Sequence, residues 1–499
     1  MSYIRMIPSA VAASVIAWGG AAQADLSAEA VWQSWQEYVA TSGQQMEAAG
    51  ETRDASALVV EDVAISGMIE EASLSLMIDR ITFDEQSDGT VLVTMSDSYT
   101  MRLVGATDET VLIGVSHPSM RLIASEIADG ISYNLRAPEF EMEVLEFTGE
   151  DAPEELDVAV RLSGVTGSYA IPHDPDGETS VTLEARAADL VMRVLDEWTD
   201  LDAFYSVSGA RMALTGQALA QMEDDPAAAL RAGFALESSF GFDTARYSFD
   251  MEEWGSRSEV SGSSSDGAMR FVLNSDEIAF SFSSRNGELN ASGDEIPFPS
   301  VSLTTRETGF GVALPLSARP EPQDVSLSLR VVDATVSDDV WDFADPGGAL
   351  TRGPATIILD LVGAALLEND LFSEEAAMMA MMAGPEALGE LQSLTLNQLL
   401  VRFAGAELTG EGAFTFDFDD FDTIPGVPRP QGVLELALRG GNTLLDSLVS
   451  IGAVADDEAM GARMMLALFT RPGDAPDELL STIEVREDGA VLANGQRLQ

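Results

Sequence analysis

The sequence has 499 residues, no cysteine, and 26 basic against 84 acidic residues, which gives a net charge of −58. All of the basic residues are arginine. A field this negative repels nucleic acid and anionic lipid headgroups, so we exclude nucleic-acid binding. Without disulfides the fold must be held by its core, and a chain of this length can build one.

The first 24 residues have the three parts of a secretory signal peptide. A short positive start ends at Arg5, an apolar run covers residues 7–22, and Ala22-Gln23-Ala24 is a small-x-small cleavage motif. A transmembrane anchor is the alternative, but proline, serine and glycine interrupt the run, and it is shorter than the roughly 20 residues that span a bilayer. We therefore predict cleavage between Ala24 and Asp25. The mature chain is expected in the periplasm, or alternatively outside the cell, with no transmembrane span and a charge of 25 − 84 = −59.

The mature chain opens with one amphipathic helix. Ser27 has the position of an N-cap, and Leu26 and Val31 have the spacing of a hydrophobic staple. Apolar residues then follow at helical spacing, Trp35 among them, and the helix should stop near Ser42-Gly43.

From about residue 57 the apolar period changes from 3.6 to 2. Val325, Leu327, Leu329 and Val331, for example, alternate with polar residues. Asp-Gly or Asn-Gly pairs at 88–89, 266–267, 286–287 and 488–489 lie between such runs and predict type I′ hairpin turns. The pattern predicts a mainly β (α+β) fold of layered antiparallel meander sheets with a few covering helices.

Helical segments are few, and they suggest how the chain is divided. We predict helices at 226–232 and 374–391, a helical turn at 337–344, and a C-terminal helix pair capped by Asn442 and Asp456. Loops rich in proline and glycine separate the β segments. The predicted parts are a signal peptide (1–24), an N-terminal helix with an antiparallel β region (25–235), a second β region ending in a methionine-rich helix (236–393), and a C-terminal β-αα-β module (394–499).

No catalytic motif is present, and we predict no catalytic, cofactor-binding or metal-binding residue. The chain has no cysteine for nucleophilic catalysis, no Gly-x-Ser-x-Gly motif and no phosphate-binding loop. Its two histidines are His117, expected in a turn beside Pro118, and His173. His173 lies in the acidic segment 172–178, which offers oxygen ligands for Ca²⁺ but also has ordinary turn chemistry.

A second acidic cluster, at 417–422, is interpreted as a strand face that runs into a turn. A hydrolase that uses two carboxylates on polysaccharide is the least favoured function, because no acid is singled out.

A methionine stripe is the remaining unusual feature. Ser373 and two glutamates begin a helix in which Met378, Met379, Met381 and Met382 lie on adjoining positions. Methionine adapts to variable apolar partners, so these four residues form a candidate wall for an apolar ligand. The alternative is that they fill an irregular core.

Four segments resemble one exported bacterial family, the domain of unknown function 2125. They are Gly293-Asp294-Glu295-Ile296-Pro297-Phe298-Pro299, the stretch from Arg429-Pro430 to Leu444-Leu445-Asp446, Ala462-Arg463-Met464-Met465, and residues 492–498. The resemblance covers nearly the whole mature chain but implies no activity. A more distant similarity, at the level of the fold, is to AsmA-type envelope proteins, which implies a hydrophobic β groove and lipid traffic.

The leading hypothesis is therefore a non-enzymatic envelope protein that binds lipid or another apolar ligand in a β-sheet groove. The alternative is a structural or protein-binding β scaffold with no ligand. The expected partners are lipid or an envelope protein, and no cofactor is expected.

Overall fold

The computed structural model of the chain describes residues 26–41, 43–69, 72–105, 109–149, 152–174, 177–217, 225–384, 388–423 and 426–498. The predicted signal peptide and its cleavage site therefore lie outside the described residues. The helices in the described part are α1 (Ala28–Thr41), α2 (Pro226–Ala232), α3 (Asp338–Ala344), α4 (Glu374–Ala383), α5 (Gly441–Ser450) and α6 (Asp456–Phe469).

The rest of the regular structure is β-strand. The strands are β1 (Gln45–Asp54), β2 (Ala57–Ile69), β3 (Ala72–Glu85), β4 (Val91–Met95), β5 (Ser98–Val104), β6 (Thr110–Ser116), β7 (Arg121–Ile127), β8 (Gly130–Thr148), β9 (Glu155–Pro172), β10 (Thr179–Leu195), β11 (Thr199–Gly216), β12 (Leu236–Glu253), β13 (Ser256–Leu273), β14 (Glu277–Gly293), β15 (Val301–Pro315), β16 (Gln323–Val336), β17 (Ala355–Leu367), β18 (Gly389–Phe403), β19 (Ala406–Asp417), β20 (Arg429–Arg439), β21 (Arg471–Pro472), β22 (Glu478–Val485), β23 (Val491–Ala493) and β24 (Gln496–Arg497).

All 24 strands belong to one antiparallel sheet. From β8 to β20 each strand pairs with the next in sequence, so this part is a simple meander. Strand order is more complex near the N-terminus, where β3 also pairs with β5 and β4 with β7. The prediction of a mainly β, antiparallel meander fold with a few helices is confirmed, and the strands form a single sheet.

Many strands carry a left-handed residue near their middle. The backbone angle φ is 60° at Gly164 and Gly209, 50° at Asp266, 49° at Asn286 and 52° at Asp333. At such a residue the alternation shifts by one position, so side chains three apart can share a face. Val207 and Ala210, on either side of Gly209, accordingly belong to one apolar cluster.

Two of the four predicted turns are therefore wrong. Asp266-Gly267 lies inside β13 and Asn286-Gly287 inside β14. Residues that tolerate the left-handed region serve a mid-strand irregularity as well as a turn. The other two pairs do join strands, but only Gly89 and Gly489 have positive φ there, so these turns are not type I′. Positive φ at two successive residues occurs at Trp254-Gly255, Ala404-Gly405 and Asn494-Gly495.

The helices differ from prediction mainly at their ends. The Ser27 hydroxyl accepts a hydrogen bond from the amide of Ala30 at 3.1 Å, as expected of the α1 cap. Helix α4 ends at Ala383 rather than at 391, because Gly384 adopts φ +91° and β18 begins soon after. Gly440, rather than Asn442, caps α5, and Ala455, rather than Asp456, caps α6.

The largest hydrophobic core lies under α1. Val31 and Trp32 of this helix pack on fully buried side chains of β2, β3 and β4, including Val60, Ile81 and Phe83. The remaining clusters of buried apolar residues are much smaller. Most of the long meander from β9 to β20 is therefore a sheet whose side chains are only partly covered.

The predicted division of the mature chain into three parts stays a prediction. Strands β11 and β12 pair across the border at 235, and β18 contains the border at 393.

Candidate functional site

A continuous row of apolar side chains crosses the meander. Directly opposed residues of neighbouring antiparallel strands point to the same face of a sheet. The pairing places one such residue from each strand of β10–β20 in line, and glycine interrupts the row only in β19. The row consists of Leu183, Met212, Phe240, Met269, Phe282, Phe310, Leu329, Leu359, Leu399, Gly410 and Leu436.

A second row runs parallel to the first, two residues along each strand. It begins with Val181 and Leu214, passes the polar Ser238, and continues through Phe271, Phe280, Val312, Leu327 and Leu361. We call the two rows together the apolar face. At a strand spacing of about 4.8 Å, the eleven strands from β10 to β20 give it a length of roughly 50 Å.

The apolar face is open to solvent. Met212, Met269, Phe282, Phe310 and Leu329 are 37–42% exposed, although large apolar side chains are normally covered. Between the two rows, on the opposite face of the sheet, lie mostly small or polar residues: Thr182, Ala213, Ser239, Arg270, Ser281, Gly311, Ser328 and Asp360. An exposed apolar surface of this extent is typical of a site that binds an apolar partner.

One end of the apolar face leads into a cavity of about 480 Å³ beneath α1. Trp35, Tyr38 and Val39 of the helix line one side of this cavity. The sheet contributes Leu183 of the first row, Val181 of the second row, and Tyr169 of β9, which pairs with Val181. The cavity has the volume of a small-molecule site and a largely apolar lining. It is thus continuous with the apolar face, and α1 forms its roof.

The four methionines predicted as a ligand wall lie on α4, in the connection between β17 and β18. The side chains of Met378, Met381 and Met382 are 61%, 87% and 82% exposed. Met379 is half-buried, and its sulfur accepts a hydrogen bond from the amide of Asn369 at 3.2 Å. Their role as a ligand wall stays a prediction.

His117 lies in the turn before β7, but its side chain is buried. Its ring packs between Tyr99, at 5.4 Å, and Phe140, stacked at 6.3 Å. Among the described residues, neither ring nitrogen has a hydrogen-bond partner. Burial therefore lowers the pKa of His117 and favours the neutral ring. The sequence indicated that His117 lies in a turn, but it did not indicate that the side chain is buried.

The two acidic segments have structural partners. His173 is exposed and lies 3.2 Å from Glu126. In the second segment, Arg429 pairs with Asp417 at 2.5 Å and with Asp420 at 3.3 Å. The hydrogen bond from Arg429 lowers the pKa of Asp417, and bonds from Thr423 lower the pKa of Asp420. Within the described ranges, no group of three or more His, Asp or Glu side chains could hold a metal ion.

The length and hydropathy of a helix determine whether it could cross a membrane. In the part of the chain that the structure describes, no helix has the length and hydropathy required to cross a bilayer.

The chain matches no family model and no curated protein sequence. The resemblance to the domain of unknown function 2125 therefore stays a prediction.

Sequence reasoning found the alternating strands but missed the rows and the cavity. The alternation at Leu327 and Leu329 is visible in the sequence, yet the register that aligns Leu329 with Phe310 is set by pairing. The signal that was available is the repetition of large apolar residues once per strand at similar offsets from the turns.

Proposed function

We propose that this chain is a non-enzymatic protein of the bacterial periplasm that binds the acyl chains of lipid on its apolar face. The observation that carries the proposal is the first apolar row, which extends from the cavity under α1 across eleven strands. Acyl chains are long, flexible and without hydrogen-bonding groups, and an extended apolar strip satisfies them without specific polar contacts.

The dimensions support this ligand class. A strip of roughly 50 Å exceeds the length of one acyl chain, since two leaflets together give a hydrocarbon core of about 30 Å. Each methylene group removed from water contributes about 0.8 kcal/mol. Partial contact over a dozen methylene groups therefore stabilises a complex even on a surface that stays open on one side.

The periplasmic location rests on the predicted signal peptide and on the resemblance to an exported family. The large net negative charge agrees with a surface that avoids anionic headgroups. The apolar face would then contact the chains rather than the headgroups of lipid.

The test uses neighbouring residues on opposite faces. Phe282→Glu and Met269→Glu each place a charge in the first row, whereas Ser281→Glu and Ala268→Glu place the same charge on the opposite face, at an exposed position. Binding of a fluorescent fatty acid should weaken at least about tenfold in the first pair, equivalent to lost contact with about two methylene groups. The second pair should bind like the wild type.

All four variants should keep the unfolding midpoint of the wild type within a few degrees, because all four side chains are exposed. If charges on both faces change binding equally, or if the wild type binds no fatty acid, the lipid proposal is wrong. The structural or protein-binding scaffold would then be the better interpretation.

A further inference from the structure

Two tryptophans are stacked at the tips of neighbouring hairpins. Trp198 lies in the turn between β10 and β11, and Trp254 in the turn between β12 and β13. The amide of Trp254 donates a hydrogen bond to the carbonyl of Trp198 at 3.1 Å. Their ring centroids are 4.3 Å apart with an angle of 22° between the planes. Even so, Trp198 is 50% and Trp254 70% exposed.

The backbone of Trp254 is unfavourable for a large side chain. Its φ is 54°, followed by 79° at Gly255, which is the pattern of a type I′ turn. Asparagine or aspartate is the usual residue at this position, because a bulky residue in the left-handed region costs stability. Burial does not compensate, since most of the indole is in solvent. A residue that costs stability and remains exposed suggests a role other than folding.

Negative charge surrounds the two indoles. A concavity of about 410 Å³ is lined by both tryptophans and by Asp196, Glu197, Asp200 and Glu252, and its described lining includes no basic residue. Arg193 pairs with one of the four, Asp200, at 3.2 Å. Within the described residues Glu197 makes no hydrogen bond or ion pair, whereas Glu252 lies opposite Arg257 in the β12–β13 pairing and interacts with it electrostatically. The site therefore combines aromatic faces with an excess of negative charge, which is complementary to a cation.

We propose that the Trp198–Trp254 pair binds a quaternary ammonium group. Such a cation has no N–H groups, so it requires aromatic faces and diffuse negative charge rather than directed hydrogen bonds. Of the four carboxylates, Asp196 is already held by the backbone, because its Oδ1 accepts the amides of Trp198 at 2.7 Å and Thr199 at 2.8 Å.

The quaternary ammonium group can come from a free solute such as choline or from a choline lipid headgroup. This inference is independent of the acyl-chain proposal, because it concerns hairpin tips at the edge of the sheet and not the apolar face.

The experiment is a calorimetric titration of the mature protein with choline and with its neutral carbon isostere, dimethylbutanol. Choline should bind with a dissociation constant of about 1–10 mM, and the isostere at least about tenfold more weakly. Added salt should weaken the binding of choline and not that of the isostere.

Two variants separate binding from folding. Trp254→Asn introduces the residue preferred in a type I′ turn, so it should abolish choline binding without lowering the unfolding midpoint. Phe343→Ala is the matched control, since Phe343 is an exposed aromatic residue (69%) beside acidic residues of α3. It should bind choline like the wild type. Equal binding of choline and the isostere, no binding of choline, or unchanged binding in Trp254→Asn would overturn the proposal.

Vesicle sedimentation then identifies the source of the group. If vesicles of phosphatidylcholine, but not phosphatidylglycerol, retain the wild type and release Trp254→Asn, the ligand is a lipid headgroup. If choline binds in solution and neither vesicle retains the protein, the ligand is a free solute.

Discussion

The ring of Phe242 lies directly over Gly267 on the neighbouring strand. The two residues are paired in β12 and β13, and a Cβ atom at position 267 would overlap the ring. Phe242 is thereby 8% exposed and covers the backbone that the glycine leaves bare. This contact lies in an irregular part of β13. The pairing with β14 shifts register between Ser263 and Ser265 and again between Ser265 and Ala268.

Gly267→Ala should therefore destabilise the sheet by about 1–3 kcal/mol, because the added methyl group displaces a packed aromatic ring. Gly50→Ala in β1 is the control, since no atom of the described residues lies within 4 Å of a Cβ atom there. Its free energy of unfolding should change by less than about 0.5 kcal/mol. Urea denaturation of both variants provides the measurement. Equal effects would show that the Phe242 contact is unimportant.

His117 should make stability depend on pH. Burial lowers the pKa of the folded-state ring below its ordinary value of 6.5, so the unfolded chain binds the proton more readily. His117 therefore does not alter the stability of the fold well above its ordinary pKa of 6.5, and it lowers that stability as the pH falls below this value. Asp97 is the acidic group that partly opposes this effect.

The variant His117→Phe should reduce the slope of stability against pH between about 6.5 and 5, because phenylalanine cannot take up a proton. Its stability at pH 7.5 should change little, because the ring keeps its contacts with Tyr99 and Phe140. Denaturation midpoints at each pH would show this. An unchanged slope would mean that other groups cause the acid sensitivity.

Net charge should make the mature protein more stable at high salt. Its 25 arginines cannot neutralise 84 acidic residues, and most of the ion pairs observed are at the surface, where each contributes about 0–1 kcal/mol. The melting temperature should rise from low salt to about 1 M NaCl as repulsion is screened. Potassium chloride is the control for ion identity. A flat or falling midpoint would indicate that cations already neutralise the acids.

The exposed methionines of α4 provide a separate test of the ligand wall. Met381→Glu with Met382→Glu should leave the unfolding midpoint unchanged, since these side chains are 87% and 82% exposed. If α4 closes over bound lipid, the double variant should carry less lipid than the wild type. Glu374→Gln with Glu375→Gln, at the start of the same helix, is the control for general charge effects. Unchanged lipid content would show that α4 does not take part in lipid binding.

The sequence was sufficient for the strands and for most helix positions, but not for the surface they form. Alternation at Val325–Val331 predicted β16 correctly because it depends only on local spacing. The turns predicted at Asp266 and Asn286 are wrong because a residue that tolerates positive φ is found both in turns and at irregular positions inside strands. The apolar face and the cavity depend on pairing, and α1 and β10 are separated by more than 130 residues. Such relationships follow from tertiary structure rather than from local pattern.

Native mass spectrometry of the mature protein, purified from the periplasm under mild conditions, tests the central claim most directly. The spectrum should show the intact chain with additional mass corresponding to one or more lipids, and this mass should be depleted in Phe282→Glu but retained in Ser281→Glu. Wild-type protein without bound lipid, or equal lipid in both variants, would contradict acyl-chain binding on the apolar face.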